Sequence, residues 1–248
     1  HAADVASSDA PLIDFRSRFV PVAASGNMVV GPERLASEAG LIMLNQGGNA
    51  IDAAVATGFA LAVTLPRAGN IGGGGFMLVH LAAENRNVFI DYREMAPAAA
   101  TRDMFLTPEG EVDKRLAYFS HKASGVPGTV AGLIHALEQY GTLPLETVIQ
   151  PAIDLAANGF IMDITLHQNL SARAERLAQD PETKRIFLRE GGEAPAIGSL
   201  FKQPDLAGTL QRIADKGLEG FYAGKTAELI ASDMAANDGL ITQEDLAS

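Results

Sequence analysis

Apolar and polar positions in this chain first follow a helical spacing. Leu35, Leu41, Ile42 and Leu44 give one apolar face to a segment that opens at Pro32. Proline suits a first helical turn because its missing N–H is not needed there, and Glu33 lies beside the positive end of the helix dipole. Gly47-Gly48 supplies the left-handed residue that ends such a helix. Asn49 then caps a second helix predicted over Ala50 to Thr64, which Pro66 stops. The stretch from Ala53 to Pro66 carries no charge, and Ala53, Ala54, Ala56, Gly58, Ala60 and Ala62 are small. It predicts a helix buried on nearly all sides and packed very closely, and it is too short to span a bilayer.

The period then changes. Phe76 to Leu81 reads as a strand, Glu84 to Asn87 as a polar turn, and Val88 to Tyr92 as the return strand of a β-hairpin. Gly72 to Gly75 forms a turn ahead of it. Residues 94–128 hold Pro97, Pro108, Pro127 and several glycines, and they predict mostly loop with short helical turns. Helices are expected over Thr129–Tyr140 and Leu145–Asn158, closed by Gly141 and Gly159, and over Asp163–Gln179. A short apolar piece at Ile186-Phe187-Leu188 follows, then helices over Asp205–Lys216 and Tyr222–Ala236. Thr242 and Asp245 have the spacing of a helix start. Barely one turn remains before Ser248, so the natural chain is expected to continue. Residues 1–27, with Pro11, Pro21 and Gly26, predict an irregular lead.

Composition narrows the picture. Of 248 residues, 47% are hydrophobic and 20% charged, which places the chain among globular proteins. With no Trp and four Tyr, small aliphatic residues must fill much of the core, which favours close-packed helices. A formal net charge of −11 disfavours nucleic acid and anionic lipid as partners. The absence of cysteine removes disulfides, thiolate metal sites and cysteine nucleophiles together. The opening residues have neither a basic nor an apolar region of the kind a signal peptide needs. The chain is therefore cytoplasmic, or its signal peptide has been removed.

Candidate chemistry is sparse. The run Gly72–Gly75 follows a helix and precedes a strand, the reverse of a phosphate-binding loop, and it lacks a Gly-Lys-Ser/Thr ending. A turn where backbones pass closely is the better reading. The five histidines show neither His-x₃-His nor His-Glu-x-x-His spacing, so no metal site is expected. Ser120-His121 and Ser124-Gly125 lie in a loop without the strand–turn–helix setting of a nucleophile elbow. Arg93, just after the second strand, stands out. Its guanidinium can meet a carboxylate with two parallel hydrogen bonds, or pair internally with Asp91, Glu94 or Asp103.

Asp91-Tyr92-Arg93-Glu94-Met95-Ala96-Pro97, preceded by Gly69 to Met77, resembles the large subunit of a γ-glutamyltranspeptidase. Gln46 to Ala54, Ser124 to Gly132 and Gly239 to Leu246 resemble the same family, in the same order. The resemblance implies an α+β fold, the αββα sandwich of the N-terminal-nucleophile hydrolases, with this chain supplying mainly helices and a β-hairpin. Residues 28–248 would be the N-terminal part of the large subunit, ending short of its usual length. In that family a precursor cleaves itself. The new N-terminal threonine of the small subunit attacks the γ-glutamyl amide with its own α-amino group as base, and water or an amino acid or peptide accepts the acyl group. The matching arginine, here Arg93, grips the substrate's α-carboxylate. No catalytic residue, cofactor or metal is expected in this chain, whose partners would be the small subunit and γ-glutamyl compounds such as glutathione or glutamine. Export to the periplasm or beyond is implied. A glutaryl-cephalosporin acylase of the same family and a non-catalytic binding or structural fragment remain as alternatives.

Overall fold

The computed structural model describes residues 23–248, so most of the lead predicted over 1–27 lies outside the described residues. Among the described residues the chain is mainly helical, with one hairpin of two six-residue strands and one very short strand pair. Helices α1 (Arg34–Asn45) and α2 (Ala50–Thr64) come first. Glu33 proves to be the N-cap of α1, its carboxylate accepting from the Leu35 and Ala36 N–H groups, which places the helix start slightly later than Pro32. Asn49 caps α2 as expected. Asp52 reciprocates by accepting from the Asn49 N–H, a full capping box.

Helix α2 is the centre of the molecule. It packs on α1, on α4 (Thr129–Tyr140) and on α5 (Leu145–Asn158), and α5 packs in turn on α9 (Pro204–Lys216). Val55, Phe59 and Val63 have no solvent-accessible surface. Burying each such side chain contributes about 1.5–3 kcal/mol. Small residues set the spacing. A methyl group at Gly40 of α1 would come within 2.8 Å of the Ala53 carbonyl on α2, so the two helices touch backbone to backbone there. At the far end of α2, Gln203 is buried and donates through Nε2 to the Val63 carbonyl, satisfying a group that helix geometry leaves open.

Strands β1 (Phe76–Leu81) and β2 (Arg86–Asp91) form the antiparallel hairpin, with Phe76 opposite Asp91 and Leu81 opposite Arg86. The reversal sits at Ala82–Asn85, earlier than predicted. A short 3₁₀ turn ends in Asn85 at φ 47°, a left-handed conformation that asparagine tolerates. Met77, Val79, Leu81, Val88 and Ile90 face the helices. Phe76, Leu78 and Phe89 stay exposed on the other face, the two rings stacked with centroids 5.7 Å apart.

Past the hairpin, α3 (Lys114–Phe119) interrupts a long loop. The single helix predicted over 163–179 is divided into α6 (Ile164–Ser171) and α7 (Ala174–Leu177). A separate α8 (Pro181–Phe187) takes in part of the apolar piece at 186–188. The new start is local chemistry: the Asp180 carboxylate accepts from the Thr183 N–H, and Pro181 occupies the first turn. Strands β3 (Phe160–Ile161) and β4 (Leu200–Phe201) had no forerunner in the sequence pattern, because two residues are too few to show a period. The helix predicted over Tyr222–Ala236 is α11 (Gly224–Ala236), and a short α10 (Glu219–Tyr222) that the sequence pattern did not mark precedes it, the two separated where Gly224 takes φ 56°. Helix α12 (Gln243–Ala247) begins at Thr242 with a capping box to Asp245. Asp245 also accepts from the Ala98 N–H at 2.8 Å, tying α12 to the loop beyond the hairpin. No helix among the described residues is long and apolar enough to cross a membrane.

Candidate functional site

Arg93 leaves the end of β2 on a backbone held from two sides. On one side Gly75 pairs with Tyr92, each donating to the other's carbonyl at 3.3 and 3.0 Å. On the other, Met95 and Val126 exchange hydrogen bonds at 3.3 and 2.8 Å. A methyl group on Gly74 would lie 2.6 Å from both the Tyr92 carbonyl and the Glu94 nitrogen, and 2.8 Å from the Arg93 Cα. A methyl group on Gly128 would overlap the Tyr92 carbonyl. Residues 92–94 therefore run in a slot whose walls are glycine backbone. That is the close passage expected of the Gly72–Gly75 turn.

The slot is braced at its edges. The Gly73 carbonyl accepts from the Gly128 and Thr129 N–H groups at 2.7 and 3.0 Å, serving as the acceptor for the exposed end of α4. The Asn70 Oδ1 accepts from the Gly73 N–H at 2.8 Å and from the Thr129 hydroxyl at 2.7 Å. Tyr222 of α10 donates its hydroxyl proton to the Pro127 carbonyl and accepts from the Ala131 N–H, closing the first turn of α4. The Tyr92 ring is wedged between Gly75 and Gly132, and burial pushes its phenol pKa up.

Arg93 itself is exposed. Its backbone N–H donates to Asp91 Oδ1 at 3.0 Å, which fixes the chain direction just before the side chain departs. Among the described residues the guanidinium has no hydrogen bond or ion pair, and none of Asp91, Glu94 or Asp103 takes it up. Asp103 lies instead 3.7 Å from Arg102. An exposed guanidinium on a rigid backbone offers a planar fork to an incoming carboxylate.

Other polar residues stay apart from this point. His80 meets Asn87 on the exposed hairpin face, and His135 lies on the outer side of α4. Ser120 donates to the Leu116 carbonyl while His121 contacts Asp233, so the adjacent serine and histidine do not face each other. Ser171 and His167 do approach, at 3.4 Å, but as exposed neighbours one turn apart on α6. Among the described residues no group of three or more His, Cys, Asp or Glu side chains is placed to hold a metal ion. Sequence reading missed the bracing role of Asn70, Thr129 and Tyr222. Asn70 and Thr129 lie inside segments singled out above. That they converge on one carbonyl and one slot is a long-range fact with no local pattern.

Comparison with known proteins places this architecture. The family model described as Gamma-glutamyltranspeptidase matches residues 36–248. The chain is 50% identical over 231 residues to the glutathione hydrolase proenzyme of Escherichia coli K12, covering 93% of this chain and 40% of that one. It is 42% identical over 241 residues to the acylase ACY 1 proenzyme of a Pseudomonas species, covering 95% of this chain and 43% of that one. The crystal structure of Helicobacter pylori gamma-glutamyltranspeptidase superposes with a TM-score of 0.90 at 48% identity, covering 92% of this chain and 65% of that one. The chain thus spans about 40% of the length of the curated relatives it matches.

Proposed function

The chain belongs to the gamma-glutamyltranspeptidase family, and from that premise we propose that it is the large-subunit part of an enzyme that transfers or hydrolyses γ-glutamyl groups. Residues 28–248 are read as the N-terminal part of that subunit. The observation that carries the proposal is Arg93: an exposed guanidinium, without a partner among the described residues, on a backbone clamped by Gly74 and Gly128. Its planar donors pair with the α-carboxylate of the γ-glutamyl donor and orient the γ-amide toward the nucleophile. That nucleophile is the N-terminal threonine of a small subunit cut from the same precursor. Its attack on the amide carbonyl expels the amine and leaves a γ-glutamyl ester, which water or the amine of an amino acid or peptide then opens.

The hairpin supports the partner. Its outer face presents Phe76, Leu78 and Phe89 to solvent, an apolar surface suited to meeting the remainder of a sandwich. Export to the periplasm or medium is proposed on the resemblance and on the glutathione hydrolase proenzymes it matches.

A second reading, hydrolysis of glutaryl-cephalosporin amides, has one observation behind it: the similarity to the acylase ACY 1 proenzyme. Glutaryl and γ-glutamyl groups share the carboxylate and differ by the α-amino group. The test uses the full-length protein with γ-glutamyl and glutaryl chromogenic anilides side by side. Turnover of the γ-glutamyl anilide, with KM raised roughly tenfold or more in Arg93→Lys, is expected, since bidentate pairing contributes about 1.5–3 kcal/mol. Turnover of the glutaryl anilide alone would establish the second reading. Unchanged KM in Arg93→Lys would remove Arg93 from the site.

A further inference from the structure

Asn70 lies outside the hairpin and the strand exit, yet it closes the brace that sets the Arg93 slot. Three hydrogen bonds make a ring. The Gly73 N–H and the Thr129 hydroxyl both donate to Asn70 Oδ1, at 2.8 and 2.7 Å, and the Thr129 N–H donates to the Gly73 carbonyl at 3.0 Å. Gly74 follows Gly73 in the chain, and Gly128 precedes Thr129. These two glycines are the walls between which residues 92–94 pass. The ring therefore ties together the two segments whose separation is the width of the slot. Its parts are confined. Thr129 is buried, and a methyl group on Gly73 would lie 2.7 Å from Asn70 Oδ1. The Asn70 carboxamide nitrogen contributes little, lying 3.4 Å from the Ala68 carbonyl at an exposed edge. What matters at this position is one acceptor oxygen, serving two donors.

From this geometry we infer that Asn70 is a positioning residue for Arg93, holding the Gly73–Gly74 and Gly128–Thr129 segments together so that the guanidinium projects at a fixed height and angle. Asn70 touches no substrate in this scheme. It acts through the backbone of residues 92–94. Without the shared oxygen the Gly73 N–H and the Thr129 hydroxyl must find other acceptors, the turn opens away from α4, and Arg93 gains freedom it must lose again on binding a carboxylate. A misplacement of about 1 Å in a substrate-orienting group can cost roughly a hundredfold in rate. A loosened rather than displaced group should cost less.

The inference rests on the reading of Arg93 as the carboxylate ligand, and a double-mutant cycle separates the two. Full-length protein carrying Asn70→Ala, Arg93→Ala or both is assayed with a γ-glutamyl chromogenic anilide. Asn70→Ala should lower kcat/KM roughly tenfold, mainly through KM. In the Arg93→Ala background the same change should cost less than about twofold, because the group it positions is gone. Asn70→Asp keeps both the shape and the acceptor oxygen and should stay near the wild-type KM, whereas Asn70→Leu keeps the bulk without the acceptor and should raise KM as Asn70→Ala does, which a merely space-filling role would not predict. Wild-type kinetics in Asn70→Ala, or a tenfold loss that persists without Arg93, would overturn the positioning role while leaving the reading of Arg93 intact. Wild-type kinetics in Arg93→Ala would overturn both. Should Asn70→Ala fail to fold, Thr129→Val removes one of the two donors at nearly constant shape. A raised KM there supports the brace, and an unchanged KM overturns it.

Discussion

Replacing Asp52 by asparagine perturbs the most demanding polar site in the core. Asp52 is fully buried, and its two oxygens accept four hydrogen bonds. Oδ1 takes the Thr142 and Leu143 N–H groups at 2.9 and 3.0 Å. Oδ2 takes the Asn49 N–H at 2.6 Å and the Thr142 hydroxyl at 2.7 Å. One carboxylate thus fastens the start of α2 to the loop between α4 and α5. Asparagine keeps only one oxygen. Placed toward Thr142 and Leu143, it sets an amide NH₂ against the Asn49 N–H, donor facing donor. Placed the other way, it opposes two backbone donors. The better arrangement leaves the part-buried Asn49 N–H unpaired, at about 1–3 kcal/mol, and strips charge assistance from two bonds, at about 1 kcal/mol each. A loss of about 3–5 kcal/mol is expected in all, a large part of the stability of an ordinary domain.

The pH dependence adds a second readout. Burial alone would raise the Asp52 pKa, but the hydrogen bonds from Leu143, Asn49 and Thr142 outweigh it and hold the carboxyl below its ordinary value. The unfolded chain therefore takes up the proton first. The stabilisation is whole at neutral pH and is lost as pH falls below about 4 toward the folded-state pKa. Urea unfolding of the full-length protein, followed by far-UV circular dichroism from pH 7 down to pH 3, reads both effects. Asp52→Asn should lower the midpoint at neutral pH, and its stability should fall less steeply on acidification than the wild type's. A neutral-pH loss under about 1 kcal/mol would refute the argument, because it would mean that water or relaxation satisfies the Asn49 donor at no cost.

Two further predictions follow the same logic. Gly132→Ala puts a methyl group into the Tyr92 ring. It should destabilise by about 1–3 kcal/mol and, because Tyr92 adjoins Arg93, raise KM for a γ-glutamyl anilide; an unchanged melting temperature and KM would show that the ring is not wedged there. Asp245, held low in pKa mainly by the Ala98 N–H and also by Thr242, ties α12 to the loop at 97–100. Asp245→Ala should speed hydrogen exchange at the Ala98 amide and in α12 while leaving α2 protected, and uniform protection would deny the tie.

Much of the helical framework was legible in residue order because its causes are local. Asn49, Gly47, Pro66, Gly141 and Gly159 start or stop helices through their own backbone preferences, and two strand-forming runs around a polar turn in 76–91 mark a hairpin whatever packs on it. Asp180-Pro181 is a start signal of the same kind and opens α8 just beyond the helix expected over 163–179. Arg93 was legible as a candidate through the family-like segment around it, since an arginine at a strand exit could equally pair with Asp91, Glu94 or Asp103. What only the tertiary structure decided is where distant segments meet. The three bonds from Thr142 and Leu143 to Asp52, the reach of Gln203 to Val63, the tie from Asp245 to Ala98 and the glycine walls around residues 92–94 join positions far apart in the chain. A carboxylate reads the same in sequence whether it faces water or four donors. Which of these it does depends on how the helices pack, and that is settled by burial of apolar surface across the whole molecule rather than by any neighbour in the chain.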